Sequence, residues 1–285
     1  MAPSWSSAGP ESIGGTRLTQ TRVITVTSGK GGVGKTTTTA NLGVALGKLG
    51  YRVVVIDTDI GLRNLDVLLG LQNRIIYDVV DLVEGRCRLQ QALIRDRHLE
   101  ELYLLPAAQS RDKSAISPSD MVRICDQLQG DCDFVLIDSP AGIELGFRNA
   151  IAAAQEFILV ATPDPASVQD VDRVLGILES QGRTQYSLII NRVRPDLVRR
   201  KLMASPAQML ETLAIPLLGI VPEAEDVIIS NGKGLPVAHD AQSLIGQAFS
   251  NTAKRLLGEN VPYIPLLEGR RSLWTRLDPR RFFRS

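Results

Sequence analysis

The run Gly29-Lys30-Gly31-Gly32-Val33-Gly34-Lys35-Thr36-Thr37 has the residue types and spacing to hold a polyphosphate. Its pattern is G-x-x-x-x-G-K-[ST], the phosphate-binding loop. Small residues let backbone N–H groups turn inward around phosphate oxygens, where a Cβ would obstruct them. Lys35 is placed to meet the β/γ-phosphates as a point charge, and the Thr36 hydroxyl to sit on Mg²⁺. Lys30 is a second cation that this spacing does not require.

Carboxylates supply the other half of the chemistry. Val53 to Ile56 runs into Asp57-Thr58-Asp59, and Phe134 to Ile137 runs into Asp138-Ser139-Pro140. In open α/β sheets ligands lie outside the carboxyl ends of the strands, so both acids project to the edge of the phosphate loop. An aspartate after such a strand is suited to Mg²⁺, directly or through water. Asp57 and Asp59 are two residues apart, and strand alternation aims both to one side. One would serve the metal and the other the attacking water; helix N-capping is the structural alternative for each.

These residues need a scaffold, and the alternation of segments provides it. Val23 to Thr27 reads as a buried strand, and Thr36 to Leu49 as a helix that stops at Gly50. Further strands are expected at 52–57, 102–105, 133–138, 156–161, 185–191 and 217–221. Helical segments are expected at 76–84, 118–129, 144–154, 167–181, 206–213 and 241–257. The pattern predicts an α/β fold with a mainly parallel, doubly wound sheet, in a single domain over 21–258. The strands are near-continuous apolar runs, as strands buried on both faces are.

The 285 residues are 44% hydrophobic and 22% charged, with net charge +1, so bulk charge points to no nucleic-acid partner. Cys87, Cys125 and Cys132 form no C-x-x-C pair, which argues against a zinc or cluster scaffold and for a reducing compartment. Residues 1–20 are rich in Ser, Gly and Pro without a signal-peptide core; they read as a disordered extension, with a transit peptide as the weaker alternative.

Lys30 within Ser28 to Thr37 resembles the deviant Walker A motif of the MinD/ParA ATPase family. Asp57-Thr58-Asp59-Ile60-Gly61-Leu62-Arg63-Asn64-Leu65-Asp66 and Ile137-Asp138-Ser139-Pro140-Ala141-Gly142-Ile143-Glu144 resemble switch segments of its septum-placing members, of cyanobacterial or plastid lineage. The similarity covers about residues 22–258. It implies a P-loop NTPase, a slow, partner-stimulated Mg²⁺-dependent ATPase, that forms a homodimer with ATP sandwiched between copies. Lys30 would then reach the partner copy's phosphates, Lys35 and Thr36 would hold phosphate and Mg²⁺, Asp59 would act on the attacking water, and Asp138 would support the metal. Asn64 would lie in the same switch. Asn191 matches the family residue that meets the adenine edge, which a side-chain amide can do as both donor and acceptor.

After Gly258 the character changes. Residues 259–269, with Pro262 and Pro265, read as an extended linker. Residues 270–285 carry six arginines against one acid, with Leu273, Trp274, Leu277, Phe282 and Phe283 among them. Such a tail reads as a basic amphipathic helix lying on an anionic membrane, with Asp278-Pro279 as a break or a second start. A disordered tail, a nucleic-acid arm and a helix docked on the body are the rivals. Five apolar side chains at about 1.5–3 kcal/mol each roughly offset the cost of ordering the tail, so one tail holds weakly and two on a dimer hold well.

The resemblance thus implies a switch that is cytoplasmic when alone and peripheral on the inner face of the cell membrane when paired, with the plastid stroma and membrane as alternative. Its partners would be a MinC-like division inhibitor and a MinE-like activator. Residues 168–173 are a candidate partner face, or a plain solvated helix face. A ParA-like DNA-partitioning ATPase and a flagellar-placement ATPase are the alternatives within the group.

Overall fold

In the computed structural model, residues 18–265 are described. Eight strands form one sheet: β1 (Arg22–Thr27), β2 (Val53–Asp57), β3 (Ile94–Arg95), β4 (Leu102–Leu105), β5 (Phe134–Asp138), β6 (Glu156–Ala161), β7 (Gln185–Val193) and β8 (Leu217–Pro222). Their order is β3-β4-β2-β5-β1-β6-β7-β8. All neighbours run parallel except β3 and β4. The connections reverse direction around β1, which places a crevice outside its carboxyl end.

Alternation within the strands explains why both faces are covered. Val54, Ile56, Val135 and Ile137 enter one core with Met121, Ile124, Phe147, Val174 and Leu178. Val53, Val55, Phe134 and Leu136 enter the other with Leu42, Leu46 and Phe249. The helix Lys35–Lys48 is buried over most of its surface, from Thr38 to Gly47 without a break. It therefore shows little amphipathic contrast, and its direction is fixed by packing against the sheet. That rigidity matters because its first turn carries the phosphate loop.

The expected strands are present within one or two residues at their ends. β3 was not expected: two residues pairing antiparallel at the sheet margin carry no periodic signal. Short helices at Leu65–Leu68, Leu89–Ala92 and Pro195–Arg199 and a longer one at Glu225–Lys233 also escaped the periodicity. The last has no side-chain N-cap, and its Ile228 and Ile229 are 73% and 53% exposed, which inverts the usual pattern.

Both chain ends touch the body where they are described. Leu18 donates its N–H to Asp133 Oδ1 at 3.1 Å, so the chain touches the body at that residue. Residues 259–265 do not run free as a linker but lie along the body, with Ile264 buried. Residues 1–17 and 266–285, including the whole basic tail, lie outside the described residues.

Candidate functional site

The phosphate loop joins β1 to the helix Lys35–Lys48. Gly34 stands at the N-cap with φ 99°, and no side chain caps that end. The first N–H groups of a helix have no intrahelical partner, so this terminus presents donors and positive potential to an anion. Gly34 also lies against Asn191, so a Cβ there would run into the Asn191 side-chain amide as well as strain the backbone. Gly34→Ala is expected to weaken nucleotide binding about tenfold, read by titration with a fluorescent ATP analogue.

Lys35 is folded back into this loop. Its Nζ donates to Ser28 Oγ at 3.2 Å and to the Lys30 carbonyl at 3.4 Å. Burial pulls its pKa down, while the charges of Asp138 and Asp59 pull it up. Ser28, to which the motif reading gave no role, also donates its hydroxyl to the Lys30 carbonyl at 2.7 Å and so shapes the loop.

Lys30 behaves differently. Its Nζ pairs with Asp164 Oδ1 at 3.1 Å, and both side chains remain over a third exposed. Asp164 is the N-cap of the helix Pro165–Ser180 and accepts the Ser167 N–H. Burial would raise its carboxyl pKa, but hydrogen bonds from Thr162 and Ser167 and the Lys30 charge outweigh that and hold it low. The only sequence signal for Asp164 was an N-cap residue before proline, which says helix start and nothing of Lys30. The same helix touches the loop a second time: a Cβ on Gly29 would collide with Asp170. The candidate face 168–173 therefore begins beside the phosphate loop, with Gln169, Asp172 and Arg173 exposed.

The two strand-end acids come together. Asp57 and Asp138 are direct neighbours in the β2–β5 register, and each is 1% exposed. Asp138 Oδ1 accepts from Thr39 Oγ1 at 3.2 Å, and Thr36 also hydrogen-bonds this carboxylate. Desolvation, then the Asp57 charge, push Asp138 up to about 8. Desolvation likewise pushes Asp57 up to about 6 against the pull of three backbone N–H groups. Both folded values lie above the unfolded value of 3.8, so the folded chain binds more protons between them. Stability from this pair is full below about pH 4 and is lost as pH rises toward 8. The nucleotide-free protein is expected to lose urea resistance from pH 5.5 to 8.5, with a flatter profile for Asp138→Asn.

Asp57 is held by the loop that follows it. Its Oδ1 accepts the Asp59 N–H at 2.9 Å, and its Oδ2 accepts those of Asn64 and Leu65 at 3.1 Å each. Both oxygens are engaged by the chain's own backbone, so Asp57 ties the following loop. Asp59 itself is half-buried, and its charge acts on Lys35. Thr58 fastens the loop to β5, donating its hydroxyl to the Asp138 carbonyl at 2.6 Å. Asn64 is exposed at the head of Leu65–Leu68 and gives only its backbone N–H to this arrangement. Asn191 is buried and donates Nδ2 to the Val33 carbonyl at 2.8 Å, which pins the end of β7 to the phosphate loop.

The donor set fits a hard cation with a polyphosphate. A hydroxyl (Thr36) and a buried carboxylate (Asp138) are oxygen ligands of the Mg²⁺ type, beside a glycine loop, a helix N-terminus and Lys35.

Comparison with known proteins agrees with this geometry. The model of the CobQ/CobB/MinD/ParA nucleotide binding domain matches residues 24–237. The septum site-determining protein MinD of Synechocystis is 50% identical over 257 residues, covering 90% of this chain and 97% of its own. The structure of the MinC:MinD cell division protein complex of Aquifex aeolicus contains a chain 42% identical, with TM-score 0.79, covering 85% of this chain and 98% of that one. MinD of Pyrococcus horikoshii, solved with Mg-ADP, is 31% identical with TM-score 0.75, covering 83% and 96%. Agreement of that extent, in sequence and in fold alike, places the chain in the CobQ/CobB/MinD/ParA nucleotide-binding family, on its septum site-determining MinD branch.

Proposed function

We propose that the chain is a Mg²⁺-dependent ATPase that pairs with a second copy when it holds ATP, attaches to an anionic membrane surface through its basic tail, and there recruits a division inhibitor to set the septum site. Hydrolysis to ADP separates the copies and releases them. The relatives named above support the septum role, the MinC:MinD complex supports an inhibitor of the MinC kind, and the Mg-ADP complex supports the cofactors.

The observation that carries this reading is the division of labour between two lysines. Lys35 Nζ already lies inside its own loop, on Ser28 and the Lys30 carbonyl. Lys30 is held outside it by an exposed pair with Asp164, an interaction worth only about 0–1 kcal/mol. A cation so weakly restrained is available to a second polyphosphate. Two ATP molecules facing each other concentrate negative charge, and one lysine from each side compensates it. Loss of the γ-phosphate removes that compensation, so pairing follows the nucleotide.

Within the site, Gly29 to Gly34 and Thr37 present the backbone, Lys35 and Thr36 meet phosphate and metal, and Asp138 supports the metal. The metal, when bound, neutralises charge developing on the transferred phosphoryl group. Asp59 orients water, Asn64 belongs to the moving segment, and Asn191 keeps its carbonyl oxygen for the adenine edge. A MinE-like activator would act at 168–173, which adjoins the loop. Among the described residues no helix is long and apolar enough to cross a membrane, and the tail 270–285 supplies peripheral attachment at the inner face of a cell or plastid membrane.

Co-sedimentation with phosphatidylglycerol-containing vesicles tests the proposal. Binding is expected with ATP, not with ADP, and not after deletion of 270–285. Equal binding in both nucleotides rejects the switch. Plasmid binding that survives the deletion would favour a DNA-partitioning role instead.

A further inference from the structure

The segment that leads to the basic tail is fastened to the body by one arginine and one tyrosine. Arg255, near the end of the helix Leu244–Leu256, spreads its guanidinium over three carbonyls. Nε donates to Val261 O at 2.9 Å, one terminal nitrogen to Leu218 O at 2.7 Å, and the other to Pro262 O at 3.1 Å. The Tyr263 ring lies 4.0 Å from the guanidinium carbon, and its hydroxyl donates to Leu217 O at 2.8 Å. Ile264, next in sequence, is buried in the core that contains Phe249. A planar fork with charge-assisted bonds and a stacked ring is a specific clamp, which a lysine could not reproduce. Leu217 and Leu218 open β8, so the strap is held at the amino end of that strand, the opposite end of the sheet from the phosphate loop.

We infer that Arg255 and Tyr263 are positioning residues for membrane attachment: by docking 259–264 on β8 they fix where the tail leaves the body and how short its tether is. The inference rests on the tail-mediated attachment proposed above. With the strap docked, five residues (265–269) separate body from tail; with it released, eleven do (259–269). The effective concentration of a second tail at the membrane falls roughly as the −3/2 power of tether length, which makes release cost about threefold in ATP-dependent binding. The clamp acts on neither the nucleotide nor the tail itself, so pairing and hydrolysis stay unchanged.

Tyr263→Ala and Arg255→Ala/Tyr263→Ala are compared with the full-length chain on phosphatidylglycerol-containing vesicles, with ATP and with ADP, beside light scattering for pairing. The expected result is vesicle affinity in ATP lowered about threefold by the double variant, less by the single one, with pairing unaltered. Hydrogen exchange on the unmodified protein gives a reading free of any folding defect in the variants: amides of the 259–264 segment should exchange more slowly than in a free peptide. Variants that bind vesicles as the parent does, or strap amides that exchange at free-peptide rates, overturn the strap. A parent chain that binds equally with ATP and ADP overturns the switch, and the strap's role with it.

Discussion

Lys30→Ala is expected to leave ATP binding by the single copy within about threefold of the parent, while ATP-driven pairing disappears and hydrolysis drops by more than about 100-fold. The asymmetry follows from where each lysine sits. Lys35, buried among Ser28, Asp138 and Asp59, remains to serve the chain's own nucleotide. Lys30 gives up only an exposed pair with Asp164, whose carboxylate keeps its bonds to Thr162 and Ser167, so the fold is not harmed. Across a nucleotide sandwich the stakes are larger. A lysine about 3 Å from a phosphate oxygen interacts by about 5 kcal/mol at an effective dielectric of 20, and each pair of copies contains two such contacts. A cation supplied in trans to a transferring phosphoryl group is worth about 10³–10⁵ in rate in comparable NTPases. Light scattering with a non-hydrolysable ATP analogue checks the first part, and phosphate release the second. Dimers of undiminished stability in the variant would remove the basis of the proposed switch.

The difference between these two lysines was visible in the sequence only as a spacing. Glycines and lysines at fixed intervals announce a phosphate loop because backbone geometry demands them locally, and the strand-end aspartates announce themselves by ending apolar runs. What the chain does over longer range was not legible. Asp164 lies 134 residues from Lys30 and looks like any helix N-cap. Asp57 has the same local pattern as a metal ligand, yet the loop after it folds back and occupies both its oxygens. The helix Glu225–Lys233 turns its isoleucines outward, so periodicity could not find it. Residues 259–269, with Pro262 and Pro265 near a composition change, read as linker; a guanidinium that joins the Val261 and Pro262 carbonyls to that of distant Leu218 is a tertiary fact. Local rules thus marked a candidate site and most of the sheet, while the partners of its charged groups are set by packing alone.

Asp57→Asn is expected to lower hydrolysis by about 100-fold with nucleotide affinity little changed, because Asp57 orders the segment that carries Asp59. An aspartate at this place accepts from three N–H groups with two oxygens. An asparagine offers one oxygen and turns an NH₂ toward donors on the other side. If the carbonyl oxygen stays with Asp59, the N–H groups of Asn64 and Leu65 lose their acceptor; if it turns, the Asp59 N–H does. Hydrogen bonds to a charged group contribute about 1.5–3 kcal/mol each, so the ordered form of 57–68 loses about 2–4 kcal/mol. The phosphate loop is untouched, since its contacts run through Ser28, Asn191 and the helix Lys35–Lys48. A purely chemical role for Asp57 would give a similar loss of rate, and amide exchange separates the two explanations. A positioning role requires the amides of Asp59, Asn64 and Leu65 to lose protection in Asp57→Asn in step with the rate. Protection at the parent level with the rate still lost would put the Asp57 carboxylate itself in the reaction, and the loop would then need some other reason to hold its shape.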